Sequence, residues 1–254
     1  MKFTRNLKGM AVAALTVFAV TAGTADAAEK LRIGTEGAYR PFNFVDNNGE
    51  LQGFDVDIAK ALCASMGADC TFVKQDWDGI IPALNKRKFD AIVASMSITD
   101  ERKKAVDFTD HYYTNKLQFV GKKGMAMDVS AAGLKGKAIG AQRATISGDW
   151  LEKNRADANI KLYDTQENAY LDLASGRLDG ILADAFVNYG WLKSAAGKDF
   201  EFKGKPVFEN DFIGIAVRKG QDDLRAKLNK AIKDIVANGT YAKINAKYFP
   251  FSIY

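Results

Sequence analysis

The segment LNKRKFDAIVAS at 84–95 has a counterpart in LASGRLDGILAD at 173–184. Aligned without gaps, both give Leu, a basic residue, an apolar residue, Asp, a small residue, Ile, an aliphatic residue and Ala. A weaker resemblance pairs IGTE at 33–36 with IGAQ at 139–142. Short α/β segments can resemble each other by chance, but the two pairs together predict equivalent helix-strand and opening-strand units in two similar lobes.

Around these stretches, short β-branched runs alternate with amphipathic helical ones. The helix predicted over 55–66 places Ile58, Leu62 and Met66 on one face and ends at Gly67. The other elements predicted in this region are a strand at 31–34, a hairpin at 42–54 that turns at Asn47-Asn48-Gly49, a strand at 70–73, a helix at 80–86 and a strand at 90–94. This order is typical of an α/β sandwich with a largely parallel sheet.

Polar residues stand where the repeated strands end. The longer pair of stretches ends at Ser95 and Asp184, and the opening strands end at Glu36 and Gln142. Ligands of open α/β sheets bind outside the carboxyl ends of the strands. Two facing lobes would therefore present these four side chains to a shared polar cleft, a common place for a small-molecule site.

The first residues are typical of an export signal. Lys2, Arg5 and Lys8 form a basic start, an uncharged apolar run occupies 10–22, and Ala25-Asp26-Ala27 supplies the small-x-small pattern that signal peptidase cuts. The apolar run is shorter than the about 20 residues of a membrane span. We therefore expect 1–27 to be a signal peptide, cleavage after Ala27 and a mature protein in the periplasm.

The composition argues against several classes of function. Removing three basic residues and one acid with the signal lowers the formal charge from +5 to +3. The remaining charges are interspersed by sign, so no nucleic-acid partner is expected. His111 is the single histidine, and the sequence contains no HExxH, nucleophile-elbow, P-loop or Gly-rich dinucleotide motif. We therefore expect neither a metal, a cofactor nor catalysis.

The two cysteines, Cys63 and Cys70, both lie in the exported part of the chain. An oxidising compartment favours a disulfide between them, which would close a short loop. Two buried thiols are the alternative. A zinc site is not expected, because no further cysteines complete a shell.

A polar cleft of this kind suits a zwitterionic amino acid. Arg102, which follows Ser95-Met96-Ser97-Ile98-Thr99, offers a guanidinium fork to the carboxylate. Backbone donors near Ala144 and Thr145, before a predicted helix, could add an anion site. A surface ion pair of Arg102 with Asp100 or Glu101 is the alternative.

For the ammonium group, Asp184 is the leading candidate, with Ser95 or Ser97 as a neutral acceptor. A carboxylate after an apolar run is costly to bury unless it is paired, although Asp184 could instead cap the following helix. For the side chain, Glu36 supplies negative charge, while Tyr39 and Trp77 offer aromatic faces that accept alkyl chains and cations. Trp77 could equally be a core residue.

These residues stand in stretches that resemble the periplasmic binding proteins of polar amino-acid ABC transporters, especially the lysine/arginine/ornithine-, histidine- and arginine-binding group. The resemblance covers essentially the whole chain after the signal, and the SMSITDER run with GFDVD upstream is specific for the family. It is carried by IGTEGAYRPFNF (33–44), GFDVDIAKALC (53–63), the run from WDGIIP to DHYY (77–113), LDLASGRLDGILAD (171–184) and ANGTYAKINAKYF (237–249).

The resemblance implies a type II periplasmic binding protein fold, with two α/β sandwich lobes joined by two hinge strands. The first lobe would comprise 28–114 and 215–254, and the second would comprise 115–214 including the hinge strands. We expect the hinges near 113–117 and 210–214. One continuous sheet through Ser95 and Asp184 would contradict this architecture.

The resemblance also assigns roles. Arg102 and the backbone near Thr145 would hold the α-carboxylate, Asp184 and Ser97 the α-ammonium, and Glu36 a distal positive charge between Tyr39 and Trp77. It further implies a Cys63–Cys70 disulfide. The expected ligand-binding set is Glu36, Tyr39, Trp77, Ser95, Met96, Ser97, Arg102, Gln142, Thr145 and Asp184.

The function implied is capture of a cationic amino acid by a monomer that delivers it to an inner-membrane ABC permease. Two departures affect the ligand: Ala94 replaces the serine of the lysine/arginine/ornithine binders, and Arg143-Ala144 replaces a usual Gly-Thr. Alternatives are therefore an opine, a neutral polar amino acid, or an enzyme of the cyclohexadienyl dehydratase kind on the same scaffold. A binder that signals to a chemoreceptor or sensor kinase is a further alternative.

Overall fold

The computed structural model describes residues 1–2 and 29–254. The apolar run and the predicted cleavage site after Ala27 lie outside the described residues. Within the described part of the chain, no helix combines the length and apolar character needed to cross a membrane.

Strands and helices alternate along most of the described chain. The strands are β1 (Lys30–Thr35), β2 (Ala38–Tyr39), β3 (Asn43–Val45), β4 (Leu51–Gln52), β5 (Asp69–Lys74), β6 (Ala91–Ile92), β7 (Val106–Lys122), β8 (Ala138–Gln142), β9 (Asn159–Tyr163), β10 (Gly180–Asp184) and β11 (Phe200–Arg218). The helices are α1 (Phe54–Met66), α2 (Ile80–Asn85), α3 (Asp100–Ala105), α4 (Ala131–Leu134), α5 (Ile146–Asn154), α6 (Gln166–Ala174), α7 (Ala185–Leu192), α8 (Asp222–Ala237) and α9 (Thr240–Tyr248). A 3₁₀ turn occupies Trp77–Gly79.

The two repeated units form two equivalent sets of parallel strands. The first set has the order β5-β1-β6, and the second has the order β9-β8-β10. Ala91 in β6 pairs with Ile33 in β1, as the aligned Gly180 in β10 pairs with Ile139 in β8. The internal repeat predicted from the sequence is therefore confirmed, because the same aligned residues occupy the same register in both sets.

The turn before each repeated strand also matches. Arg87 has a φ of 61°, and the aligned Gly176 has a φ of 77°. This left-handed backbone suits glycine but is uncommon for a residue with a Cβ atom. The first copy therefore keeps the geometry of the turn although its sequence differs there.

A long ribbon of two antiparallel strands, β7 and β11, joins the two sets. β6 pairs with β11 at Ala216 and Val217, near one end of the ribbon, whereas β10 pairs with β7 over 117–121, near the other end. The ribbon and the two sets of parallel strands therefore form one eight-stranded sheet, with the order β5-β1-β6-β11-β7-β10-β8-β9. The strands that lead to Ser95 and Asp184 nevertheless attach to opposite ends of the ribbon, so the predicted architecture of two lobes joined by two strands holds.

The register of the ribbon is broken where it passes from one lobe to the other. It shifts between Phe208 and Asp211 and again between Ile213 and Gly214. Such irregularities bend strands and increase their twist. The ribbon thus allows the two lobes to face each other, with a cleft on one side.

Buried apolar side chains form clusters within each lobe and one cluster that includes residues of both lobes. In the first lobe, Phe42 stacks on Tyr113 with ring centroids 4.9 Å apart, and Phe54 and Phe249 pack edge-on and tilted around them. In the second lobe, a separate cluster of buried side chains comprises Leu117, Phe119, Leu134, Ile139, Ala141, Leu151 and Leu182. Aromatic rings bury the largest areas in such cores, so these clusters fix the strands that carry the cleft residues.

The helix α1 ends as the sequence predicts. Gly67 follows its last residue with a φ of 65°, and its amide donates to the carbonyl of Ala64 at 3.2 Å. A left-handed residue at this position is a common way to end a helix. The chain then returns as β5, and Cys63 forms a disulfide with Cys70. The expected pairing of the cysteines is confirmed.

Candidate functional site

A cavity lies in the cleft at the carboxyl ends of the repeated strands. Nine of the ten side chains expected to bind ligand line it, and Ala94 and Ile146 complete the lining. These eleven residues are Glu36, Tyr39, Trp77, Ala94, Ser95, Ser97, Arg102, Gln142, Thr145, Ile146 and Asp184. The residues come from both lobes, so the cleft is closed around the cavity.

The exception is Met96, which the structure does not bring to this cavity. Its side chain is fully buried in the core cluster of the first lobe, with Ile80 and Phe89. Its carbonyl accepts a hydrogen bond of 3.0 Å from the amide of Gly214 in β11. The backbone alternates direction through this segment, so Ser95 and Ser97 face the cavity while Met96 faces the core.

Arg102 reaches the cavity from α3. Thr99 caps this short helix, and its hydroxyl accepts from the Arg102 amide at 3.2 Å. The guanidinium donates to the carbonyls of Ser97 at 3.0 Å and Ala144 at 3.2 Å. It also lies 5.2 Å from the centre of the Trp77 ring. Burial lowers the pKa of Arg102, but an arginine stays charged in proteins.

The surface ion pair considered for Arg102 is not formed. Asp100 pairs with Lys103 at 3.2 Å, and Glu101 pairs with Lys104 at 2.5 Å. The two acids in the first turn of α3 therefore form ion pairs with the lysines that follow them. Arg102 is left to carry its positive charge towards the cavity, where it is suited to bind an anionic group.

Thr145 lies at the start of α5, on the second lobe. Its hydroxyl accepts from the amide of Gly148 at 3.2 Å and donates to the carbonyl of Gln142 at 2.7 Å. The preceding residue, Ala144, has a φ of 54°. These contacts direct the first turn of α5 to the cavity, and helix amino termini favour anions.

Asp184 ends β10 and is only 5% exposed. It occupies the position before α7, but its side chain makes no capping hydrogen bond. Burial and the nearby charge of Asp211 raise the pKa of Asp184, whereas the Tyr39 hydroxyl, the Asn115 amide and the charge of Arg102 oppose the rise. An acid this deeply buried is poised to receive a positive group.

Glu36 lies directly after β1 and is only 3% exposed. The Gln142 amide donates to its carboxyl at 2.6 Å and to the carbonyl of Asp164 at 3.1 Å. Burial raises the pKa of Glu36 to about 7. The carboxyl is therefore close to its titration point at neutral pH and would ionise fully beside a cation.

The cavity depends on a buried acid that was not expected, Asp55 in the first turn of α1. Its carboxylate accepts hydrogen bonds from the hydroxyl of Ser95 at 2.9 Å, the hydroxyl of Tyr112 at 2.7 Å and the amide of Asn43 at 2.9 Å. Burial raises the pKa of Asp55 to about 6 against these three hydrogen bonds. Asp55 thereby holds Ser95, whose backbone is in the left-handed region with a φ of 52°.

Two further buried residues that were not expected, Asn115 and Asp211, lie opposite each other on β7 and β11 of the ribbon. The Asn115 amide donates to the Asp211 carboxylate at 3.1 Å, and both side chains are buried. The sequence carries a signal for Asp211: it shares one strand face with the buried Ile213, Ile215 and Val217. Asp55 likewise shares a helix face with Ile58, Ala59 and Leu62, and polar residues at core positions of a pattern mark functional candidates.

His111 is not among the residues that line the cavity. Its ring is 5.0 Å from that of Phe212 and 5.9 Å from that of Tyr254.

Contacts across the cleft show that the lobes are closed. The Trp77 indole donates to the Ala144 carbonyl at 2.9 Å, Gln142 donates to Glu36, and Arg143 lies 3.4 Å from Asp78.

Comparisons with known proteins agree with this geometry. Residues 31–251 match the family described as bacterial extracellular solute-binding proteins, family 3. The chain is 42% identical to the L-arginine-binding protein of Pseudomonas aeruginosa over 98% of both chains. It is 37% identical to the histidine-binding periplasmic protein of Salmonella typhimurium, over 98% of this chain and 99% of the other.

A solved structure agrees in fold. An ancestral arginine-binding protein bound to arginine superimposes with a TM-score of 0.82 at 41% identity, covering 87% of this chain and 98% of the other. The internal repeat, the two-stranded ribbon and the interlobe cavity are thus those of a type II periplasmic binding protein. The chain belongs to the bacterial extracellular solute-binding proteins, family 3.

Proposed function

We propose that this protein binds a free cationic L-amino acid, arginine, lysine or ornithine, in the periplasm and delivers it to an inner-membrane ABC permease. The observation that carries the proposal is the charge of the cavity lining. Arg102 is its one basic residue, and Glu36 and Asp184 are its two acids. Such a lining complements a ligand with one carboxylate and two positive groups.

Each ligand group has a partner of matching chemistry. The α-carboxylate binds the Arg102 guanidinium and the amides of the first turn of α5, beyond Thr145. The α-ammonium binds Asp184, with Ser97 and Ser95 as acceptors. The distal cation binds Glu36, and its alkyl chain lies between Tyr39 and Trp77. Two named relatives bind arginine and histidine, which supports an amino acid with a basic side chain.

Ligand binding and lobe closure are one event in this proposal. Arg102 and Glu36 belong to the first lobe, whereas Thr145 and Asp184 belong to the second. An open cleft would offer only half of the hydrogen bonds, so the ligand shifts the equilibrium towards the closed form. The closed surface is what a permease would bind.

We place the hinges at 113–117 and 210–214, with one lobe at 28–114 and 215–254 and the other at 115–214. The irregular register of the ribbon near Asp211 and Gly214 supports this placement. We expect a monomer, exported through the signal at 1–27 and cleaved after Ala27.

Calorimetry tests the proposal directly. The mature protein, freed of bound ligand by unfolding and refolding, is titrated with arginine, lysine, ornithine, histidine, glutamine and glutamate. Tight binding confined to the basic members is the expected result. Tight binding of glutamine or glutamate instead would contradict the assignment of Glu36, and a response to none of the six would favour an opine or turnover of prephenate or arogenate.

A further inference from the structure

A second buried carboxylate lies behind the proposed ammonium site. Asp211 is 2% exposed, and Asp184 is 5% exposed. Asn115 stands opposite Asp211 in the ribbon and donates to its Oδ2 atom at 3.1 Å. Asp184 pairs with Leu117, two residues from Asn115, on the other side of β7. The two buried carboxylates therefore flank the same stretch of β7.

The charge around this pair does not balance. Arg102 is the cation that faces both carboxylates, while its two Nη atoms donate to the backbone carbonyls of Ser97 and Ala144. Ser97, whose backbone pairs with Ile213 of β11 close to Asp211, supplies no charge. Two buried carboxylates therefore face one guanidinium.

Three buried tyrosines on β2, β7 and α6 also lie beside the pair, and the buried carboxyls of Glu36 and Asp55 act on two of these tyrosines. Burial raises the pKa of each well above its usual range, so all three are neutral: Tyr39, Tyr113 and Tyr170. A second buried negative charge without a partner is costly, and two interacting carboxylates then titrate as a unit that holds one proton.

We propose that Asp184 and Asp211 share one proton in the ligand-free protein, and that the ammonium group of the ligand displaces this proton to solvent. The inference rests on the proposed function and deepens it, because it makes Asp211 a positioning residue that acts through Asp184. When the ammonium arrives, its positive charge allows both carboxylates to ionise, and the proton passes to water. Burial raises the pKa of both carboxyls, and the charge of Asp211 raises that of Asp184 further, as sharing requires.

Proton release is measured by titrating arginine into the protein in phosphate and in Tris, two buffers with different ionisation enthalpies. Glu36 also faces the cavity and could release a proton, so the E36Q variant is the reference protein, used at concentrations that saturate the weaker site. At a pH of about 7, we expect E36Q to release a large fraction of one proton per arginine. Its affinity should rise at least about tenfold from pH 6 to pH 8, the direction required when binding releases a proton.

The double variant E36Q/D211N should release almost no proton, and its affinity should change less than about threefold over the same range, since Asp184 alone can remain ionised beside Arg102. The matched control is E36Q/D149N, which removes an exposed carboxylate that also acts on Arg102. This control should keep the proton release of E36Q.

Binding of arginine by E36Q without proton release would overturn the inference, even if the double variant did not fold, while leaving the proposed function intact. Undiminished release in a folded E36Q/D211N protein would also overturn it. Failure of the wild-type protein to bind any amino acid would instead contradict the proposed function itself.

Discussion

The indole nitrogen of Trp77 and the carbonyl oxygen of Ala144 form a hydrogen bond of 2.9 Å, although the two residues belong to different lobes. The same carbonyl accepts from Arg102 at 3.2 Å. Its direction is set by the left-handed backbone of Ala144, with a φ of 54°. One peptide group of the second lobe thus receives two donors from the first, and the contact forms only when the cleft is closed.

Replacing Trp77 by Phe should weaken ligand binding about fivefold. The change keeps an aromatic face for the ligand but removes the donor to Ala144, and a neutral hydrogen bond contributes about 1 kcal/mol. Calorimetry with arginine measures the loss. Trp150→Phe is the matched control, because Trp150 packs on Phe119 within the second lobe. An equal loss in both variants would contradict a special role for the cross-cleft bond.

Arg143 should slow the escape of bound ligand. It belongs to the second lobe and lies 3.4 Å from Asp78 of the first, while also pairing with Asp164 of its own lobe. Exposed ion pairs contribute roughly 0.2–1 kcal/mol and weaken with salt. We expect Arg143→Ala to release arginine about two- to fivefold faster in low salt, and no faster than wild type in high salt, as measured by stopped flow.

Arg177→Ala is the control for the Arg143–Asp78 ion pair, since Arg177 pairs with Asp172 inside the second lobe at 2.7 Å. It should leave the dissociation rate unchanged at both salt concentrations. An effect of Arg143→Ala that is independent of salt would contradict an electrostatic contact across the cleft.

Glu36 should make the affinity for cationic ligands depend on pH. Its pKa is raised by burial to about 7 in the empty site, and a bound guanidinium would lower it. Because binding then favours the ionised carboxyl, arginine affinity should fall as the pH drops from about 8 to about 5. Calorimetry across this range measures the protons released per bound arginine. The difference between the wild type and Glu36→Gln gives the contribution of Glu36.

The same variant tests which ligand group Glu36 binds. Glu36→Gln should weaken arginine binding at least about tenfold at a pH of about 8, because a charge-assisted hydrogen bond becomes a neutral one. Glutamine, if it binds at all, should lose much less. Equal losses for the two ligands would refute the assigned contact.

Asp55 should be required for both stability and affinity. Asp55→Ala leaves the buried hydroxyls of Ser95 and Tyr112 and the amide of Asn43 without their acceptor. We expect a loss of about 3 kcal/mol in the free energy of unfolding, measured with urea. The folded variant should also bind arginine more weakly, because Ser95 is no longer held. A loss of stability with unchanged affinity would show that Ser95 is positioned by other contacts.

Removal of the disulfide should affect stability alone. Cys63 and Cys70 are seven residues apart, and closing so short a loop contributes roughly 2.5 kcal/mol in the chain-entropy model. The Cys63→Ser/Cys70→Ser protein should therefore unfold at a lower urea concentration. Its arginine affinity should match that of the wild type, since neither cysteine lines the cavity. Altered affinity would indicate that α1 shifts when the bridge is lost.

The sequence contained signals for two acids that were not interpreted as site residues. Asp55 falls on the apolar face of α1 with Ile58 and Leu62, and Asp211 falls on the buried face of β11 with Ile213. An acid at a core position needs a partner, but the partners of these two are far away in the chain. Periodicity shows that a side chain faces inwards and does not show what it meets there. Met96 illustrates the reverse case. It lies between Ser95 and Ser97, which line the cavity, but its side chain points the other way and packs in the core.

The repeated α/β units, the end of α1 at Gly67 and the polar residues at the strand ends follow from local patterns, because hydrophobic period, turn residues and strand boundaries are local properties. Which of these residues meet follows from the tertiary fold. Ser95 is held by Asp55, 40 residues away, and Glu36 is bound by Gln142, 106 residues away. Such contacts depend on how the ribbon orients the two lobes and on which polar side chains packing brings within hydrogen-bond distance. Both are consequences of packing between segments that no local pattern links.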